Sequence, residues 1–166
     1  MSAPYCSSAS VPCICATLRC ASRAVTNFYD LVLAPTGLRI TQFLVLKTLH
    51  ERGEMAQCEY ARDQGIATET LSRRFTALRK KGLLEVRPGR RGERFYRVTP
   101  KGEQAYIEAL PYWERAQGRL TRLLGDKGAQ TISEMCQHLC QAAHEAEQMR
   151  AKNHVEHPEH QEFAAD

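Results

Sequence analysis

No stretch of this 166-residue chain stays apolar for the ~18 residues needed to cross a bilayer. Its opening, MSAPYCSSASVP, has neither the basic nor the apolar region of a secretory signal, which points to the cytoplasm. A phosphate-cradling glycine loop and the His-Glu-x-x-His metal motif are both missing. The seven cysteines are odd in number and form no Cys-x-x-Cys pairs of the kind that hold zinc. In a reducing compartment that argues against a structural disulfide framework. No arrangement of nucleophile, base and orienting group is evident, so a thiol enzyme or metal-handling protein is the weaker of two function classes. Nothing nominates a catalytic residue or a cofactor.

What is present is an uneven charge. The chain carries only +4 overall, yet between Thr68 and Gly102 eleven Lys and Arg stand against Glu69, Glu85 and Glu93, a local +8. The remainder is −4. A mildly acidic body with one basic segment is the electrostatic footprint of a nucleic-acid binder, although a solvated charged face gives the same count.

Hydrophobic periodicity organises the rest. Residues 1–12 read as a loose N-terminus. From Cys13 to Ala34 the residues Ile14, Leu18, Ala21, Val25 and Phe28 recur at steps of four and three, one face of a helix that Pro35 and Gly37 end. A second helix opens at Thr41 with Phe43, Leu46 and Leu49 inward, and Gly53 stops it. A third, short helix is expected from Met55 to Gln64. A fourth follows, N-capped by Thr68, with Leu71, Phe75 and Leu78 as its buried stripe and Gly82 as its stop. LLEVRP and RFYRV read as two strands joined by the basic turn PGRRGE. Thr99 and Pro100 start a further helix, with a bend expected at Pro111 and a break at GDKG. A last helix, about Gln130 to Arg150, carries Ile132, Met135, Leu139, Ala142, Ala146 and Met149 in the same rhythm. Residues 151–166 read as a disordered polar tail. The fold class expected is mainly α with a small β-hairpin wing: a winged helix–turn–helix framed by long terminal helices.

A recognition helix needs an apolar stripe to anchor it and short polar or cationic side chains to reach the DNA. Thr68, Thr70, Ser72, Arg73 and Arg74 supply these at the end that enters the major groove. Arginine pairs with guanine in bidentate fashion, and hydroxyls suit phosphates or varied base edges. Arg90, Arg91 and Arg94 belong to the wing, where Arg90 and Arg91 serve no core and suit phosphate or minor-groove contact. Arg79, Lys80 and Lys81 come late in the helix, where the helix dipole alone accounts for cations.

With GLRITQFLVL ahead of this module, TETLSRRFTALRKKGLLEV through it and YRVTPKG closing the wing, residues 13–150 resemble the MarR family of winged helix–turn–helix regulators. The wing departs from the family pattern: RPGRRGERF places Pro88 and Gly89 where an Asp usually precedes the arginines, leaving Glu93 to partner Arg91 or Arg94. The resemblance implies one domain, with 40–99 as the winged module and 13–34 and 100–150 as dimerisation helices. It further implies a homodimeric regulator, a repressor of a pseudo-palindromic duplex operator, answering to a small-molecule or oxidant inducer and needing no membrane. The terminal stripes fit that picture, because one small winged domain is too little to cover both. The resemblance also allows an aromatic ligand between the dimer helices and the winged domain, with Tyr112 and Trp113 either lining or flanking its pocket or belonging to the core.

The cysteines are the open question. Cys15 shares a helix side with Arg19, Ser22, Thr26 and Tyr29, beside the apolar stripe. The organic-hydroperoxide regulators of this family carry a reactive cysteine eight residues before the Arg of an ASR segment, and Cys15 to Arg23 reproduces that spacing. By this resemblance Tyr29 matches a tyrosine that holds the thiolate, whereas Arg19 and Ile40 stand where other tyrosines are expected. Arg19 instead offers a positive charge one turn away. Cys20 on the same helix, and Cys136 and Cys140 on the last one, are candidate partners. Inert packing, a redox sensor, and a soft-metal site with His144 all remain open. Cys58, in the third helix, is expected only to pack.

Overall fold

The computed structural model describes residues 13–156, apart from the side chains of Arg91, Glu147 and 151–156. The chain divides into two compact units, 1–117 and 118–166.

In the first unit, helix α1 (Ile14–Leu33) buries only Tyr29 and Leu33. A 3-10 turn over Ala34–Thr36 follows it. Thr36 closes this corner: its hydroxyl donates to the Leu33 carbonyl at 2.8 Å and accepts the Leu38 N–H at 3.2 Å. Helix α2 (Ile40–Arg52) begins one residue before the expected Thr41. Asp30, reaching over from α1, accepts the Ile40 N–H at 2.7 Å. A carboxylate there satisfies an orphan donor and meets the positive end of the helix dipole. Helix α2 buries Phe43, Val45, Leu46 and Leu49.

The expected third helix proves to be two elements. Met55–Ala56 forms strand β1, and helix α3 covers only Gln57–Asp63. Helix α4 (Thr68–Lys80) follows, with Leu71, Phe75 and Leu78 buried as the spacing required. Its N-cap is Ala67 and no side chain caps it, so Thr68 is the first helical residue rather than the cap. Strands β2 (Leu84–Pro88) and β3 (Arg94–Val98) pair antiparallel from Leu84↔Val98 to Pro88↔Arg94. The sheet gains a third strand, because β1 pairs with β3 through Met55↔Tyr96 and Ala56↔Phe95, giving the order β1-β3-β2.

Phe75 sits at the centre of the core, its ring 5.5 Å from Tyr60 and 4.2 Å from Tyr96. A second cluster stacks Phe43 between Tyr106 and Trp113 at 5.5 and 5.8 Å. Each fully buried Leu or Phe in such a core contributes about 1.5–3 kcal/mol.

Helix α5 (Pro100–Glu156) starts as the sequence indicated. The Thr99 hydroxyl accepts the Gly102 N–H at 3.0 Å and donates to the Gly82 carbonyl at 2.7 Å. The glycine of YRVTPKG has a steric reason: a Cβ on Gly102 would stand 2.1 Å from the Leu83 carbonyl oxygen. Helical dihedrals continue through Pro111, and among the described residues the helix departs from them only at Gly125 (φ 71°, ψ 160°). The break therefore falls at the start of GDKG. The second unit is the rest of α5, which runs on through Glu156 into the stretch expected to be a tail. The expectations for residues 1–12 and 157–166 lie outside the described residues.

Candidate nucleic-acid interface

The buried stripe of α4 leaves one face outward. Thr68, Glu69, Thr70 and Arg73 are exposed, and Arg74 is half-exposed with its charge near the Tyr60 hydroxyl. Burial nevertheless raises the Tyr60 hydroxyl above its ordinary range, so it stays protonated. Ser72 is half-buried, and its Oγ accepts a hydrogen bond from Gln57 Nε2 at 2.6 Å.

Tertiary structure sorts ten of the eleven cations of the basic segment. Arg87 makes a bidentate pair with Glu54 at 3.1 and 2.6 Å and lies 5.3 Å from the Phe95 ring centre. Hydrogen bonding and charge from Arg87 hold the Glu54 carboxyl below the usual carboxylate range. Arg97 pairs with Glu85 across the hairpin. Lys81 donates to the Gly37 carbonyl at 2.8 Å, and Lys101 to the Lys81 carbonyl at 2.9 Å. Lys81 therefore ties the end of α4 to the α1–α2 corner. Arg73, Arg79, Lys80, Arg90 and Arg94 make no ion pair among the described side chains, and all five are exposed. The side chain of Arg91 lies outside the described residues.

The acidic partner at the wing is thus Glu54, just before β1, acting on Arg87. Glu93, the expected partner of Arg94 or Arg91, makes no ion pair among the described side chains. Sequence reasoning had no signal for Glu54, since it meets Arg87 only once β1 joins the sheet. Gln57 was missed for the same reason. The wing turn is tight: a Cβ on Gly89 would stand 2.5 Å from the Phe95 ring, so only glycine lets the loop rest on that ring.

No protein-family model and no curated protein matches the sequence. Solved structures do. The transcriptional regulator MosR of M. tuberculosis, in complex with DNA, superposes with a TM-score of 0.74 at 30% identity, covering 81% of this chain and 98% of that one. A second crystal structure of M. tuberculosis MosR gives 0.71 at 31% identity, with 80% and 96% covered. A MarR-family regulator from Rhodococcus sp. RHA1 shares the fold, with a TM-score of 0.67 at 22% identity over 76% and 91%. The chain belongs to the MarR family of transcriptional regulators.

The helices that flank the winged module of this MarR-family chain are unlike it. On α1, Ile14 is 63% exposed, and Leu18, Ala21 and Val25 are exposed beside it. Along the second unit Ile132, Met135, Leu139 and Met149 are likewise exposed, as are Ala142 and Ala146. Cys13, Cys15, Cys136 and Cys140 are exposed free thiols, and Cys20 is half-buried. Cys58, expected to pack, is exposed. Arg19 is exposed on the same helix as Cys15. Tyr29 is buried, and its hydroxyl donates to Gln117 Oε1 within this chain. Trp113, considered as a ligand-lining residue, packs on Phe43 with Lys47 5.8 Å from its ring centre, and Tyr112 lies 4.9 Å from the Arg115 guanidinium. Among the described residues there is no group of three or more His, Cys, Asp or Glu able to hold a metal, and no helix long and apolar enough to cross a membrane.

Proposed function

We propose that this chain is a homodimeric, sequence-specific DNA-binding repressor of the cytoplasm, whose hold on a pseudo-palindromic operator weakens when a thiol on α1 is oxidised. The observation that carries the DNA-binding reading is the outward face of α4. Thr70 and Arg73 stand exposed on a helix whose opposite face is locked by three fully buried side chains, with Arg90 and Arg94 exposed on the adjacent wing. Rigid support of this kind fixes side chains well enough to read base edges. The exposed apolar side chains of α1 and of the second unit support the dimer, since a monomer would present them to water. Two-fold pairing then supplies two recognition helices for two half-sites.

Cys15 is the thiol we assign to the signal. It is exposed, with Arg19 one turn along the same helix. A peroxide would oxidise Cys15 to the sulfenic acid and be reduced in doing so. Condensation with a second thiol, Cys20, Cys136 or Cys140, then forms a disulfide and releases water. A covalent restraint at a dimer interface changes the half-site spacing.

Binding to duplexes selected from a random library tests the reading. Arg73→Ala should cost about 1–3 kcal/mol of specific affinity if it makes a bidentate base contact. Arg90→Ala should weaken binding to all sequences and flatten the salt dependence by about one phosphate contact per subunit. If both variants bind like wild type, the reader geometry is wrong. Peroxide should release wild type from DNA and reductant restore it, while Cys15→Ser stays bound. Release by a thiophilic metal or an aromatic acid, with peroxide inert, would move the signal to that class.

A further inference from the structure

Apart from tyrosines, Gln57 is the one buried side chain that is polar among the described residues, at 9% exposure, and it opens α3 beneath the recognition helix. Its carboxamide meets three groups. Nε2 donates to Ser72 Oγ at 2.6 Å and lies 3.4 Å from the Thr68 carbonyl oxygen, both on α4. Oε1 accepts from the Tyr96 hydroxyl at 3.4 Å. The Thr68 carbonyl can only accept, so it fixes which end of the amide faces α4. Ser72 Oγ therefore receives a hydrogen, and its own proton must point away from Gln57. A free serine hydroxyl suits donors and acceptors on DNA alike. This one is biased, and a hydroxyl that accepts one hydrogen bond becomes a better donor in the next.

We propose that Gln57 is a positioning residue for DNA recognition: by donating into Ser72 Oγ, it makes the half-buried Ser72 hydroxyl a hydrogen-bond donor toward DNA. Its partner is then an acceptor, either a phosphate oxygen or a purine edge such as guanine O6 or N7, and not a donor such as cytosine N4. This rests on the DNA-reading function proposed above. It also reassigns half of Ser72: one side of its hydroxyl belongs to the protein.

The test uses the full chain and two duplexes of equal length, one selected from a random library by wild type and one of random sequence. Ser72→Ala should weaken binding to the selected duplex about five- to tenfold, the loss of one hydrogen bond, and Gln57→Met by less, because the freed hydroxyl can still donate without its bias. The double variant should bind no worse than Ser72→Ala alone, because Gln57 acts through the Ser72 hydroxyl. A purely structural role for Gln57 predicts additive losses instead, and that result overturns the proposal. So does Ser72→Ala binding like wild type, whatever the fate of the Gln57 variants. Gln57→Glu places an acceptor against Ser72 and reverses its hydroxyl. Duplexes reselected with this variant should differ from those of wild type, and an unchanged selection counts against the proposal. Equal losses on both duplexes assign the acceptor to a phosphate; a loss confined to the selected duplex assigns it to a base edge. Wild type that binds neither duplex overturns the reader itself, whereas wild type binding no better than Gln57→Met overturns only the role of Gln57.

Discussion

The winged module and the helices around it are built on opposite terms. In the module, Phe43, Leu46, Leu71, Phe75 and Leu78 are all at most 1% exposed, and every buried side-chain polar atom described has a partner. On α1 and in the second unit, apolar residues recur with the same helical period yet remain in water. Period alone records that a face is apolar. It does not record what covers it. The first stripe is completed by its own chain, and the second kind is left for another surface, which we assign to a second copy.

The comparison can be broken most sharply by truncating one residue of each kind. Phe75→Ala leaves a cavity between Tyr60 and Tyr96 and should cost about 3–5 kcal/mol, a large share of the ~5–15 kcal/mol available to a domain of this size. Denaturant titration should find it largely unfolded or close to it. Val25→Asp should act otherwise, splitting the dimer in analytical ultracentrifugation while the module keeps its melting transition. If Val25→Asp unfolds the module as Phe75→Ala does, the two regions are not separate in the way described.

The same contrast explains which features were legible in the sequence. Leu71, Phe75 and Leu78 could be read because an i, i+4, i+7 stripe is a local property of the chain. Gly53 and Gly82 could be read because a helix stop is local too. Strand β1 could not: two residues carry no period, and they become a strand only by pairing with Tyr96 and Phe95 some forty positions on. Everything that depends on that pairing was hidden with it, including the Glu54–Arg87 pair and the place of Gln57 under α4. A good capping residue such as Thr68 signals a helix start without saying which residue is the cap, and the cap falls one position earlier, at Ala67. The bond from the Tyr29 hydroxyl to Gln117 could not be read either, because Gln117 lies far along the chain. Ten of the eleven basic residues could be sorted only once their neighbours were known.

A milder probe tests the joint between the two regions. Asp30 is on α1, yet its carboxylate caps α2, the first helix of the module. Its other oxygen is 3.7 Å from Arg39, whose side chain is largely in solvent, so that ion pair adds little. Asp30→Ala should cost about 0.5–2 kcal/mol, as loss of a helix cap does. Asp30→Asn keeps an acceptor and should lose less. Equal loss in the two would mean that charge at the helix terminus, and not the hydrogen bond, supplies the stabilisation. No loss in either would mean that the α1–α2 corner is held by Thr36 and packing alone.

The smallest effect is expected at the wing, the part of the module fastened by surface contacts. Glu54 is held ionised by Arg87, so its folded-state pKa lies below its unfolded one. A group of that kind contributes in full above the ordinary carboxylate range, and its contribution disappears as pH falls through the folded-state value. Acidification should therefore loosen β1 from the edge of the hairpin before it disturbs the core around Phe75. Because the pair is exposed to solvent and salt, the overall melting transition should barely move. Amide hydrogen exchange is the sensitive measurement. At neutral pH, Glu54→Gln should speed exchange, relative to its intrinsic rate, at Arg87 and its neighbours in the sheet, and acid below the ordinary carboxylate range should do the same to wild type. Added acid should then do little more to the variant, since its side chain has no proton left to gain. If exchange in the variant keeps rising with acidity as steeply as in wild type, another carboxylate holds the wing. Glu85, paired with Arg97 on the same hairpin, is the one to substitute next.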